Sequence, residues 1–178
     1  MICPSCNFNN VPGADQCVNC QHDLAPHDRP VAIDRVQRSL MEDTVASLCP
    51  RDPVTLPPSA SLAEAMAVLL DRNIGALPIV EAGVLVGILS ERDVLLEAAG
   101  VEGCNRRPVS DFMTRGPETV RENDTLAFAL HKMDSGGYRH LPVTRDGRLV
   151  GIVSVRDLMR HVTRLAAASW PGSQAAED

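Results

Sequence analysis

The sequence predicts a mixed α/β protein in which one unit is written twice behind a small cysteine-stapled module. Three observations carry this expectation. Residues 45–96 lie over residues 109–160 at a constant shift of 64 with no gap, and 17 of the 52 pairs are identical, a density that marks an internal duplication. Each copy changes its apolar period in the same order, strand, helix, strand, strand, helix. Ahead of both copies, CPSC at residues 3–6 and CVNC at 17–20 are two Cys-x-x-Cys pairs separated by ten residues.

The cysteine segment, residues 1–28, has almost nothing with which to build an apolar core, so it needs a staple. Cys3, Cys6, Cys17 and Cys20 supply one, since each Cys-x-x-Cys pair folds into a tight turn that presents two sulfurs to one tetrahedral ion. The segment looks like a short zinc ribbon with Pro4, Asn7, Pro12 and Gly13 as turn formers and Phe8 and Leu24 as core. Iron in the same four-sulfur cage is the alternative, because thiolates alone do not separate the two metals. A redox pair would need a βαβ context that does not surround these residues. His22 and His27 read as surface residues, Cys49 as a buried apolar position, and Cys104 as a bystander between the repeats.

Residues 29–44 form the connection. His27, Pro26 and Pro30 precede it, and Val31, Ile33, Val36, Leu40 and Met41 recur at helical spacing. The repeats follow as residues 45–100 and 109–165, with residues 166–178 as a flexible tail in which Trp170 could tuck against a neighbour. Each repeat opens on an extended piece (54–56, 119–120). A helix follows, with Leu62, Ala65, Met66, Leu69 and Leu70 on one face in the first copy and Leu126, Ala129, Leu130 and Met133 in the second. Ser59 or Ser61, and Asp124 or Thr125, are the caps. Two strands come next, LPIV and VLVGIL, then LPVT and RLVGIV, joined by turns at Gly83 and Asp146-Gly147. A last helix begins after Ser90 and Ser154, the second running through Leu158, Met159, Val162 and Leu165.

The phrases VGILSERD (86–93) and VGIVSVRD (150–157) end the third strand of each copy. A carboxylate there, Asp93 or Asp157, can accept from the vicinal hydroxyls of a ribose, while Ser90 or Ser154 and free helix N–H groups favour a phosphate, with Arg92 or Arg156 as fixed positive charge. The preceding glycine leaves room for another group to approach the backbone. The same Ser-x-x-Asp spacing also writes a capping box, and the two roles are compatible.

The strand order and the G-h-x-S-x-x-D signature resemble the CBS domain over residues 45–162, and the tandem resembles a Bateman module. The resemblance implies two pseudo-symmetric α/β units whose packed sheets leave two clefts for AMP, ADP, ATP or S-adenosylmethionine, and pairs that dimerise through their helices. It also maps the strand entries Val54, Thr55, Thr119 and Val120 to the clefts, together with Ile74-Gly75-Ala76 and Tyr138-Arg139-His140. These last triplets differ, so the clefts should be chemically unequal. Adenine would meet aliphatic side chains such as Val80, Ile88, Val143 or Ile152.

Composition narrows the functions. With 44% hydrophobic and 22% charged residues the chain reads as a soluble globular protein, and a net charge of −6 argues against a polyanion-binding surface. Residues 1–28 contain no lysine or arginine, which favours protein docking or stabilisation over nucleic-acid binding by the ribbon. The N-terminus lacks the basic and apolar regions of a secretory signal, and no apolar run is long enough to span a bilayer, so the expected location is the cytoplasm. No nucleophile elbow, His-Glu-x-x-His helix or Walker loop is present, so no catalysis is expected. The expectation is a regulatory adenosine-nucleotide sensor, a homodimer, with zinc as structural metal. The rivals are a ligand-free dimerisation scaffold and a zinc-ribbon regulator associated with nucleic acid.

Overall fold

The computed structural model describes residues 2–11, 14–24, 34–50 and 52–168. The chain divides into two compact units, Met1–Asp34 and Arg35–Asp178. The expectations for His27, Pro12, Gly13, Val31, Ile33 and Trp170 fall outside the described residues.

In the first unit the two knuckles fold alike. Cys3 N–H donates to Phe8 O and Asn7 N–H to Cys3 O, both at 2.9 Å; the matching bonds are Cys17 N–H to His22 O at 2.9 Å and Gln21 N–H to Cys17 O at 2.8 Å. Asn7 and Gln21 adopt φ of 58° and 59°, the left-handed turn that lets each chain segment double back after its second cysteine. Leu24 is fully buried beside Cys3 and Cys17. Phe8 is not core: it is 43% exposed and lies outside the buried cluster of Cys3, Cys17 and Leu24.

The second unit begins with α1 (Arg35–Glu42). Each repeat then contributes a helix and a hairpin: α2 (Leu62–Arg72), β1 (Ala76–Glu81) and β2 (Val84–Ser90) in the first; α4 (Leu126–Gly136), β5 (His140–Arg145) and β6 (Arg148–Ser154) in the second. Ser61 and Thr125 are the caps, accepting from the N–H groups of Glu64 and Phe128. Leu62, Ala65 and Leu69 are buried, as are Leu126, Ala129 and Met133. Met66, Leu70 and Leu130 lie outside, exposed by 39%, 75% and 38%. On a wheel of about 100° per residue these three extend the apolar arc to one side of the stripe that the sheet covers.

The hairpins turn through Ala82-Gly83 (φ 48° and 82°) and Asp146-Gly147 (φ 50° and 76°), the two positive angles that a type I′ turn requires. Both have the same register, so Ala76 pairs with Ser90 and His140 with Ser154. The residue ahead of each Leu-Pro therefore stands opposite the serine that opens the last helix. Leu56 bridges to Ile79 in parallel, and β4 (Val120–Arg121) pairs in parallel with β5.

The two repeats exchange their opening segments. Val45 is buried in the core of the second repeat, and Val109, Phe112 and Met113 in that of the first. Val45 N–H donates to Asp124 O at 2.9 Å and Val109 N–H to Ala60 O at 2.8 Å; Leu126 N–H donates to Asp43 O at 3.0 Å and Leu62 N–H to Arg107 O at 2.9 Å. These bonds are related by the 64-residue shift, so the duplication extends to the contacts between the copies. A short strand, β3 (Thr114–Arg115), then pairs with β2, completing the first repeat's sheet with chain from beyond it. The glycine of the first phrase serves this exchange. A Cβ on Gly87 would stand 2.4 Å from Met113 Sδ and 3.1 Å from Thr114 O, so the room it leaves is filled by the protein itself.

Cys49 is exposed, not buried: it ends the turn Val45–Leu48 in a left-handed conformation (φ 48°) that directs it outward, whereas Met113, its partner in the repeat, is buried. Cys104 is half-buried against the first core rather than a bystander. The last helices also differ. After Ser90 come one α-turn, α3 (Glu91–Asp93), and a π-helical turn, Val94–Ala98, whereas α5 (Val155–Ala168) is regular for 14 residues. Leu158 is buried and Met159 is 57% exposed. Between α1 and α5, buried Ser39 places its hydroxyl 2.7 Å from His161 Nε2 and donates to Asp43. Among the described residues no helix is long and apolar enough to cross a membrane.

Candidate ligand cleft and cysteine cluster

Both Ser-x-x-Asp phrases form complete capping boxes. Asp93 Oδ2 accepts from Ser90 N–H at 2.8 Å and from Ser90 Oγ at 2.7 Å, while Asp93 N–H donates to Ser90 Oγ at 3.3 Å. In the second copy the corresponding distances for Ser154 and Asp157 are 2.9, 2.6 and 3.3 Å. One oxygen of each carboxylate is thus engaged in capping, and the other oxygen of Asp157, Oδ1, accepts from Arg160 at 3.4 Å.

The second of these boxes opens on a cleft of about 180 Å³ between the repeats. Residues 73 to 76 form its wall from the first repeat, and His140, residues 152 to 154, Arg156, Asp157 and Arg160 its wall from the second. Of the expected nucleotide contacts, Ala76, His140, Ser154, Arg156 and Asp157 meet here, with Ile152 as an aliphatic surface. Thr55, Ser90, Arg92, Asp93, Thr119, Tyr138 and Arg139 do not line it. Thr55 is exposed, and Thr119 accepts from Lys132 through its carbonyl at 3.0 Å. Val143 is completely buried in the second core and does not line this cleft. The Tyr138 ring covers the Cα of Gly136, where an added Cβ would stand 2.0 Å from it.

His140 reaches across the inter-repeat junction to Gly75, with ring atoms 3.0 and 3.1 Å from the position a Cβ would take there and Glu91 Oε2 at 3.5 Å from that point. Burial pushes the imidazole below its ordinary value, against the opposing pull of Asp157 and Glu91. Sequence reasoning missed Arg160 and Asn73. Arg160 follows Asp157 by three residues, one helical turn, and that spacing was the available signal.

In the cysteine unit the sulfurs of Cys3, Cys6, Cys17 and Cys20 all lie within 4.8 Å of one another. Cys3 and Cys20 are 3.6 Å apart, as are Cys6 and Cys17. An ion with ~2.3 Å bonds to four tetrahedral sulfurs sets them ~3.8 Å apart, close to the two 3.6 Å separations seen here. N–H groups already point at the sulfurs, from Ser5 to Cys3 at 3.4 Å and from the Asn10 amide to Cys17 at 3.5 Å. Burial pushes the Cys17 thiol up but is outweighed by the Cys20 and Asn19 backbone and by Asn10, which bring it down to about 6. The His22 backbone favours the Cys20 thiolate, yet the crowded sulfurs and burial push that thiol up to about 12. The four sulfurs are close enough to hold a metal ion between them.

Two α/β repeats with exchanged openings and a cleft at a Ser-x-x-Asp turn define a tandem module, and the family is explicit: residues 45–100 and 109–164 each match the CBS domain. The chain belongs to that family. It is 37% identical over 97 residues to YlbB of Bacillus subtilis, a match covering 53% of this chain and 66% of YlbB. It thus spans about two thirds of the curated relatives it matches first. Among solved structures, CBSX2 in complex with AMP is 27% identical with a TM-score of 0.62, covering 68% of this chain and 97% of that one. The CBS pair of MJ0100 in complex with 5′-methylthioadenosine and S-adenosyl-L-methionine is 31% identical, also with a TM-score of 0.62, covering 68% and 96%. An L-aspartate semialdehyde sulfurtransferase of Methanocaldococcus jannaschii shares 33% identity over 118 residues, 65% of this chain but only 22% of that protein.

Proposed function

We propose that this chain is a non-catalytic regulatory protein that binds an adenosine-containing ligand in the cleft between its CBS repeats and holds a structural zinc ion in its cysteine unit. The observation that carries the reading is the cleft itself, walled by both copies and ending at a helix start where the second oxygen of Asp157 has only a long 3.4 Å contact with Arg160, which a ribose hydroxyl can displace. The AMP, methylthioadenosine and S-adenosylmethionine complexes of its structural relatives support this ligand class. Because the ligand would touch both repeats, it would favour one arrangement of the two over another, which is the requirement for a sensor. Residues 1–28 would act as stabiliser or protein-docking element and residues 29–44 as connection. The repeats would occupy 45–100 and 109–165, followed by a tail at 166–178, in a cytoplasmic homodimer. Zinc would offset two of the four thiolate charges and supply no chemistry beyond cross-linking the two knuckles.

Calorimetric titration with AMP, ADP, ATP and S-adenosylmethionine tests the ligand class, and saturable binding of at least one is expected. Absence of binding by all four would replace the sensor with a scaffold. Exposed Leu95, Leu96 and Met159 on the final helices favour self-association in either case. Native mass spectrometry would read metal, ligand and oligomeric state together.

A further inference from the structure

The two copies write the same phrase but do not place the same charges around it. Within the cleft, residues 73 to 76 bring no charged side chain from the first repeat. Among the lining residues the fixed charge comes from the second repeat, Arg156 and Arg160 against the carboxylate of Asp157, while Glu91 of the first repeat stands beside His140 at Gly75 without lining the cleft. One oxygen of the Asp157 carboxylate is bound by the Ser154 N–H and hydroxyl. Arg160 donates to the other through one nitrogen only, at a long 3.4 Å, and its side chain is 53% exposed, so a ligand phosphate can compete for the guanidinium. At the position that matches Arg160 the first repeat carries Leu96, 64% exposed, and at the position that matches Gly75 the second carries Arg139. The extra arginine of this cleft is therefore not part of the duplicated pattern.

Resting on the reading of the cleft as an adenosine site, we infer that it selects a nucleoside phosphate over S-adenosylmethionine or a neutral thioether nucleoside, and that Arg160 is the discriminating residue. With the ribose held at Asp157, the group on C5′ decides the match. In a nucleotide that group is a phosphate, which two guanidinium groups meet with charge-assisted hydrogen bonds. In S-adenosylmethionine it is a sulfonium, whose positive charge sits on the atom bonded to C5′ and is repelled by the same arginines. In 5′-methylthioadenosine it is neutral and gains nothing from them. Residues 73 to 76 carry no carboxylate, and Glu91 behind them faces His140 rather than lining the cleft with the two arginines.

Titration of AMP, 5′-methylthioadenosine and S-adenosylmethionine into the wild-type chain and the Arg160→Leu and Arg160→Lys variants tests this. AMP is expected to bind roughly 10- to 100-fold more tightly than either competitor, the range that charge-assisted hydrogen bonds supply. Arg160→Leu should cost AMP about tenfold while leaving methylthioadenosine unchanged, Arg160→Lys should retain part of the gap, and added salt should weaken AMP selectively. Methylthioadenosine or S-adenosylmethionine binding as tightly as AMP would overturn the inference while leaving the adenosine site standing. Equal losses for all three ligands in Arg160→Leu would do the same, assigning Arg160 a structural role. No binding by any of them would overturn the adenosine site itself.

Discussion

Asp93→Ala and Asp157→Ala form a matched pair that separates helix capping from ligand binding. The two carboxylates cap with nearly the same geometry, accepting from serine N–H and Oγ at 2.8 and 2.7 Å in one copy and 2.9 and 2.6 Å in the other. Losing the acidic half of a capping box costs about 1 kcal/mol, which corresponds to roughly 2–4 °C in melting temperature for a chain of this size. Both variants should therefore melt lower by similar amounts. Only Asp157 borders the cleft, so only Asp157→Ala should also remove the acceptor for the ribose hydroxyls. A hydrogen bond to a charged acceptor contributes about 1.5–3 kcal/mol, so AMP affinity should fall roughly 10- to 100-fold in that variant. Asp93→Ala should leave the affinity of this cleft within about twofold of wild type, well under 1 kcal/mol. Differential scanning fluorimetry gives the stability arm and isothermal titration the binding arm. Equal losses of AMP affinity in both variants, or none in either, would refute the division of roles and leave the two phrases as caps alone.

Three further perturbations have expected outcomes. Metal analysis should find one metal ion per chain, and Cys17→Ser or a strong chelator should unfold residues 2–24 while the melting of the repeats is unchanged, since the chain divides into two compact units; intact near-ultraviolet and exchange-protection signals from the cysteine unit after chelation would contradict this. Gly87→Ala should destabilise by about 1 kcal/mol, because its Cβ meets Met113 Sδ at 2.4 Å, which can move, and the Thr114 carbonyl at 3.1 Å, which cannot; an unchanged denaturation midpoint would show the exchange segment to be loosely packed. Burial holds the folded His140 imidazole below its ordinary value of 6.5, so the unfolded chain takes the proton first and stability should fall as pH drops through 6.5 toward the folded value. His140→Ala, the residue that the first repeat carries at this position, should flatten that part of a pH–stability profile; an unaltered slope would exclude the imidazole as its source.

Much of the fold was legible because its signals are local. The 64-residue shift, the hairpin turns at Gly83 and Asp146-Gly147 and the caps at Ser61 and Thr125 each depend on a few neighbouring residues, and the structure has them. Apolar periodicity was legible only to the width of the helix face, which is why Met66, Leu70 and Leu130 were assigned inward and lie outside. The cleft was half legible. Pairing of Ala76 with Ser90 and of His140 with Ser154 follows from hairpin register, but a wall that combines residues 73 to 76 with α5 requires the two repeats to be packed against each other.

By itself the sequence determined that there are two copies of one α/β unit, where their turns and caps fall, and that four cysteines converge in pairs, because all of these are short-range consequences of residue type and spacing. Only the tertiary structure decided that each copy takes its opening segment from beyond its own core, with Val45 buried in the second repeat and Val109 in the first. The same packing decided that Gly87 is reserved for Met113, and that Arg160 joins Asp157 at a cleft where the sister position is leucine. Backbone groups of the exchanged segments find their hydrogen-bond partners 45 to 83 residues away, from Leu62 to Arg107 and from Asp43 to Leu126. No local pattern can specify a partner at that distance, because the choice rests on which buried surfaces fit once both copies have formed.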